Sequence, residues 1–187
     1  MPDSSVPCLS GAVFLRNETM FRQEVGDAVV DQARASLTDR ERDELESAVP
    51  AAWIPVTTID TFYREIARQA GRDLESFYVS VVKRGISQTL RSVWKALLRL
   101  TTDRALISRT PIIYARGHSV GKIVSEITAP GRATVVLTGW PDMPHLRRLG
   151  VGAGIEAVLE MAGRKDVSVT FEETDDGAIY QARWRSR

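Results

Sequence analysis

The chain holds a single cysteine, Cys8, and two histidines, His118 and His145, in 187 residues. One cysteine excludes an intrachain disulfide framework and any multi-cysteine metal site, and it fits a reducing compartment, so a cytosolic location is expected. Neither histidine has a second histidine or a cysteine at ligand spacing, and no metal is expected. Long apolar runs are missing too: none approaches the ~18 residues of a membrane span. The start, MPDSSVPCLS, has an acid and two prolines where an export signal would place a basic region and an apolar block. Residues 1–10 are therefore expected to be disordered, the chain soluble and unexported, and membrane insertion absent. Charge of one sign is not in excess either, with 25 Lys and Arg against 24 Asp and Glu. A net charge of +1 gives no global attraction to nucleic acid or an anionic membrane. Motifs for acyl or phosphoryl transfer are absent, so no catalytic residue is assigned and a non-enzyme is expected.

What is present is enough apolar sequence for a core: 43% hydrophobic residues fit one domain over 11–187, with a helical part at about 18–108 and a sheet part at about 110–185. GAVFLR at 11–16 reads as a short strand, and Phe21, Val25, Ala28, Val29 and Ala33 recur at helical spacing up to about Leu37. Thr38 and Glu41 form a capping-box pair before a short acidic helix. Pro50 and Pro55 hold AAWI extended, because a residue before proline avoids the helical region. A second capping box at Thr57 to Asp60 opens a helix with Ile59, Phe62, Tyr63, Ile66, Ala67 and Ala70 on one face and Gly71 as its stop.

From Thr110 the period falls to two. PIIYAR (111–116), residues 122–128 and residues 132–139 read as three strands, with a turn at Pro130-Gly131. A helix capped near Asp142 and opened by Pro144 runs to Ala162, and VSVTFEE, TDDG and AIYQARW make a closing hairpin. Helices followed by strands predict an α+β fold: a helical layer on a mostly antiparallel sheet of about 4–5 strands with one crossing helix.

That crossing helix contains Gly152-Ala153-Gly154-Ile155-Glu156-Ala157, which spells G-x-G-x-x-A, with Glu172 twenty residues after Gly152. A dinucleotide turn needs a strand running directly into the first glycine, and here a proline-opened helix intervenes. The glycines are instead expected to let the helix lie close to its neighbour. Gly152→Ala or Gly154→Leu is then expected to overcrowd it, and added nucleotide to leave the melting temperature unchanged. The acids Glu172, Glu173, Asp175 and Asp176 are expected to be solvated.

The stretch from about Leu74 to Leu100 carries apolar pairs every four residues: Phe77/Tyr78, Val81/Val82, Ile86, Leu90, Val93/Trp94 and Leu97/Leu98. Four residues turn about 400°, so this stripe drifts about 40° per repeat. One long helix would touch its core on different sides at its two ends, or bend at Gly85. The same helix bears Lys83, Arg84, Arg91, Lys95 and Arg99 and no acid between Ser76 and Thr102. This basic stripe is either a solvated face offset by the acids Asp39 to Glu46, or a surface for an acidic protein partner or anionic ligand. Nucleic acid is not expected, since Tyr114, Tyr180 and Trp184 lack a basic sheet face. Tyr78-Val79-Ser80-Val81-Val82 is similar to the Y-x-S-x-R signature of haem-based nitric oxide sensors, but Val82 replaces the arginine and neither histidine lies upstream. No haem and no other cofactor is expected on that ground.

The element order, with the Thr102–Ile107 turn, the proline-led Trp53-Ile54-Pro55 segment and the glycine-bearing helix of Gly150 to Gly163, resembles a ligand-binding superfamily. That group joins vinyl-reductase domains, haem nitric-oxide-binding domains and small trafficking-complex subunits. More narrowly the chain is similar to a bacterial family of uncharacterised function within it, over most of residues 11–185. The resemblance implies an α+β sandwich, often dimeric, in some members with a cavity for a small apolar ligand and seldom with catalysis. Such a cavity would be lined by Phe62, Tyr63, Tyr78, Trp94, Val135 and Leu137, residues that would equally fill an ordinary core. The expected function is a regulatory or scaffolding domain acting through protein contacts, as a homodimer or within a complex. The alternative is a sensor of a small apolar ligand.

Overall fold

The computed structural model describes residues 6–89 and 101–185. These fall into two compact units, drawn from Met1–Val81 with Arg116–Val120 and from Val82–Ala115 with Gly121–Arg187.

In the first unit, β1 (Cys8–Ser10) pairs antiparallel with β2 (Trp53–Pro55). Order thus begins inside the expected disordered stretch, because backbone pairing satisfies the amides of residues 8–10. The expected strand at 11–16 is helical: α1 is Gly11–Val25, and the Ser10 side chain accepts from the Val13 amide as N-cap. Phe14, Asn17 and Phe21 fall on the buried face, a spacing hidden while 11–16 is read with period two. Gly26 (φ 84°) ends α1, and α2 (Asp27–Ala35) follows. This break resets the helical phase, so Val30, Ala33 and Leu37 enter the core in place of the expected Ala28 and Val29.

The capping box of Thr38 and Glu41 opens α3 (Asp39–Glu46), as expected. Helix α4 (Val56–Gln69) begins earlier than expected, with Pro55 as its N-cap, and uses no side-chain cap. The Thr58 hydroxyl instead donates to Glu44 Oε2 at 2.5 Å. Ile59, Phe62, Tyr63, Ile66 and Ala67 are buried, and Gly71 (φ 61°) closes the helix, with the Arg72 amide donating to the Ala67 carbonyl. Helix α5 (Leu74–Thr89) carries the Phe77/Tyr78 and Val81/Val82 pairs, all buried. The rest of the expected long helix, with Leu90, Val93/Trp94 and Leu97/Leu98, lies outside the described residues.

The second unit takes up from Val82. It contains α6 (Asp103–Ile107), capped by Thr102, and α7 (Thr110–Gly117), which stands where PIIYAR was expected to be a strand. Pro111 sits in the first turn, where its missing N–H has no helical partner to lose. Burial of Tyr114 with Ile112 and Ile113 exposed is a helical pattern, and a run this short does not distinguish the periods. The described strands are β3 (Lys122–Ala129), β4 (Arg132–Thr138), β5 (Lys165–Thr174) and β6 (Gly177–Arg185). They form an antiparallel sheet in the order β3-β4-β6-β5.

Helix α8 (His145–Met161) connects β4 to β5, and β6 returns between those two strands. Pro144, not Asp142, is its N-cap, and Gly163 (φ 83°) is its stop. Alternate residues Ala133, Val135 and Leu137 of β4 and Ala178, Tyr180, Ala182 and Trp184 of β6 are buried. The α+β class is therefore as expected, with four strands in this sheet.

Burial raises the pKa of Tyr114 and Tyr180 above the usual phenol value. A proton held more tightly when folded gives stability that is complete below about pH 10 and declines as pH rises past it. In an alkaline titration the phenolate absorbance of these two residues is expected to emerge together with loss of circular dichroism. Their ionisation near pH 10 with intact secondary structure would contradict it.

Candidate functional site

Aromatic side chains from three helices meet in the first unit. The Tyr63 ring lies 6.5 Å from Phe14, 4.8 Å from Phe21, 6.2 Å from Phe62 and 5.6 Å from Tyr78. Helical spacing produces this: Phe14 and Phe21 are seven apart on α1, while Phe62/Tyr63 on α4 and Phe77/Tyr78 on α5 are adjacent pairs. Polar groups are buried with them. Asn17, 1% exposed, lies one turn from Phe14 on the same face, and neither its Oδ1 nor its Nδ2 meets a hydrogen-bond partner among the described residues. Arg16 Nε is likewise unpartnered, and burial pushes this guanidinium below its ordinary pKa, offset in part by Tyr63 and Tyr78. Asp60 is buried on α4.

The neighbouring charges are internally matched. Glu18 accepts from Arg34 at 2.7 Å and from Arg22 at 2.8 Å, and Arg34 lies over the Phe62 ring at 5.0 Å. A groove of about 340 Å³ beside Thr38, Glu41, Glu44 and Thr58 offers no free acid, since Glu44 binds Thr58 and Arg40 and Glu41 completes the capping box.

Phe62, Tyr63 and Tyr78 of the expected cavity lining are thus brought together in the first unit. Val135 and Leu137 are buried in the sheet of the second, and Trp94 lies outside the described residues. Asn17 and Arg16 were missed by sequence reasoning. A polar residue at i+3 from one phenylalanine and i−4 from another is the signal, and it exists only once α1 is read as a helix.

The basic stripe is partly used up. Lys83 binds Glu160 at 2.8 Å and Glu156 at 3.2 Å, so α8 supplies the countercharge expected from the acidic helix, which pairs instead within itself through Arg40–Glu44 and Arg42–Asp39. Arg84 is exposed on α5, and Arg91, Lys95 and Arg99 lie outside the described residues. Glu173 is not simply solvated: it binds Arg148 at 3.1 Å and approaches His145 Nδ1 at 3.4 Å.

The α8 glycines do pack closely, but with room to spare. A Cβ on Gly152 would stand 3.7 Å from Val169 and 3.8 Å from the Tyr180 ring, and one on Gly154 would stand 3.6 Å from Ile86. These are ordinary contacts, which corrects the expectation that Gly152→Ala overcrowds the helix. Gly152→Ala is expected to be neutral or to stabilise by up to about 1 kcal/mol through helix propensity, measured by urea denaturation.

This combination, helices with an aromatic interior followed by an antiparallel sheet crossed by one helix, is an α+β fold. No family model matches the chain, and no curated protein matches its sequence. Among solved structures, the chain is similar in fold to H-NOX domains. An oxygen-binding H-NOX domain related to soluble guanylate cyclases, in its oxygen complex, matches with a TM-score of 0.66 at 12% identity over 95% of both chains. The Fe(II) unliganded H-NOX protein from K. algicida matches with a TM-score of 0.70 at 12% identity, over 95% of this chain and 97% of that one. A third, from work on haem redox potential and porphyrin distortion, gives 0.65 at 13% identity over 95% and 99%.

At this identity the likeness shows the fold. The matching structures are H-NOX domains and not members of an uncharacterised bacterial family, which corrects the narrower resemblance. The likeness also overturns two expectations. The scaffolding reading is overturned, because the matching structures are described as an oxygen-binding domain and a haem protein. The exclusion of haem from a lost signature fails as well, because the fold is that of haem proteins and Tyr78 to Val82 form part of α5.

The described side chains do not assemble an axial-ligand site. His145 is half exposed beside Glu173, and His118 follows α7 with its backbone bridged to Leu9. The Cys8 thiol donates to the Val6 carbonyl at 3.4 Å, and burial pushes its pKa up, away from the thiolate. No chemical step is therefore routed through haem. What the chain's own residues offer is a buried aromatic cluster containing an amide free to bond and a desolvated cation. Among the described residues no helix is long and apolar enough to cross a membrane.

Proposed function

We propose that the chain is a non-enzymatic small-molecule sensor domain. The observation that carries this reading is the match over 95% of both chains to an H-NOX domain in its oxygen complex. The buried polar atoms of Asn17 and Arg16 support it, since among the described residues they have no partner and are left to bond a bound molecule. Sensing needs only that one conformation hold the ligand better than another, and no bond need be made or broken.

The test is native mass spectrometry and absorbance spectroscopy of freshly purified protein. A non-protein mass lost on denaturation is expected, and restoring that compound should raise Tm. A Soret band would identify the mass as the group of the structural relatives. Native and denatured masses both equal to the polypeptide, with no absorbance beyond the aromatic band, would sink the reading.

A further inference from the structure

We propose that β5 is a dimerisation edge, pairing antiparallel with β5 of a second copy of this chain about a two-fold axis at Thr170. The edge belongs wholly to the second unit, and its pairing requires no bound ligand.

Strand β5 is the outer strand of its sheet, and among the described strands it pairs with β6 alone. On the far side of β6 the Trp184 amide donates to the Gly131 carbonyl at 2.9 Å, so even-numbered residues of β6 turn their backbone toward β4 and odd-numbered ones toward β5. Glu172, Thr170 and Ser168, the partners of Ile179, Gln181 and Arg183, therefore spend their N–H and C=O groups on β6. Val169 and Phe171 point theirs outward, where nothing among the described residues bonds them.

A bare edge invites another strand, and proteins discourage this with charge, proline or a bulge. At the opposite edge, β3 carries Lys122, Glu126 and a register shift between Ile127 and Ala129. From Ser168 to Phe171, β5 has none of these. Its own register shift, with Asp166 at φ 51°, comes before Ser168.

Self-complementarity identifies the second strand as another copy. With Thr170 opposite itself, Val169 stands opposite Phe171 of the second copy and exchanges two hydrogen bonds with it, and the two-fold axis repeats the exchange. Both side chains lie on the face that α8 covers, Val169 beside Gly152 and the Phe171 ring 5.7 Å from Tyr180, so an aromatic ring meets a β-branched side chain across the axis. On the open face Thr170 meets Thr170 and Ser168 meets Glu172, pairs that can hydrogen-bond. All three residues are exposed and thus available. The Lys165 end of each strand runs to the Asp175 end of the other, bringing opposite charges together. An axis one residue away, at Val169, would instead set Glu172 against Asp166.

Analytical ultracentrifugation of the full chain tests this, with Thr170→Lys and Thr170→Glu as variants. The original chain is expected to associate reversibly to a dimer as its concentration rises. Either variant alone places like charges opposite each other on the axis and should dimerise at least about tenfold more weakly. Its circular dichroism should be unchanged, because Thr170 is exposed. Mixing the two variants opposes lysine to glutamate and should restore the dimer. A chain that stays monomeric at every concentration, a dimer indifferent to both variants, or a mixture no more associated than its components would each overturn the assignment. Unfolding of both variants would make Thr170 a residue of the fold itself and overturn it as well.

Discussion

Gly177→Ala should destabilise the chain by about 3–5 kcal/mol, read as a lowered midpoint in urea. Two effects add at this position. Its φ of 152° lies in a region that L side chains rarely adopt, and a Cβ there would stand 2.3 Å from the Leu137 carbonyl oxygen. That oxygen belongs to the neighbouring strand β4, where Leu137 pairs with Ala178, so relief requires parting the two central strands of the sheet. A flexible side chain moves aside; a paired backbone does not. Gly152→Ala is the control, since its added methyl meets only ordinary contacts. A loss below about 1 kcal/mol for Gly177→Ala would show that the hairpin shifts without harm.

Asp103→Ala should cost about 3 kcal/mol. Asp103 Oδ1 accepts from Arg164 Nε at 2.7 Å and from the Arg164 Nη2 group, and its Oδ2 accepts from Trp184 Nε1 at 3.1 Å. Arg164 is 9% exposed at its side chain, and among the described residues the carbonyls of Ala162 and Thr101 would remain to it. Removing the acid therefore leaves a buried cation undercompensated and an indole N–H without its acceptor. Adding Arg164→Met to Asp103→Ala should recover part of the loss, because the stranded charge goes too. Additive losses in the double variant would mean that the pair is not coupled.

These sites and the aromatic cluster differ in how legible they were in the sequence. Gly71, Gly131 and Gly163 announced their turns, because a left-handed backbone demands glycine whatever surrounds it. The Thr38 capping box was equally readable, being complete within four residues. At Thr57 the same kind of signal misled, since Thr58 finds Glu44 from another helix and no local rule anticipates that bond. PIIYAR and GAVFLR failed for a different reason: six residues with one dominant apolar run fit either period, and Pro111 or Ser10 reads correctly only after the helix is known.

The missed Asn17 follows from the second of those failures. Composition and spacing by themselves determined the α+β class, the helices around Phe62 and Leu146, the hairpins and the absence of a local catalytic motif, because each depends on residues close in the chain. Tertiary structure alone decided that Glu156 and Glu160 take up Lys83, that β6 enters between β4 and β5, and that Asn17 is buried on the face of α1 that carries Phe14 and Phe21. Those outcomes depend on which distant side chains meet, and the free energy of burial is set by that meeting and not by the order of residues along the chain.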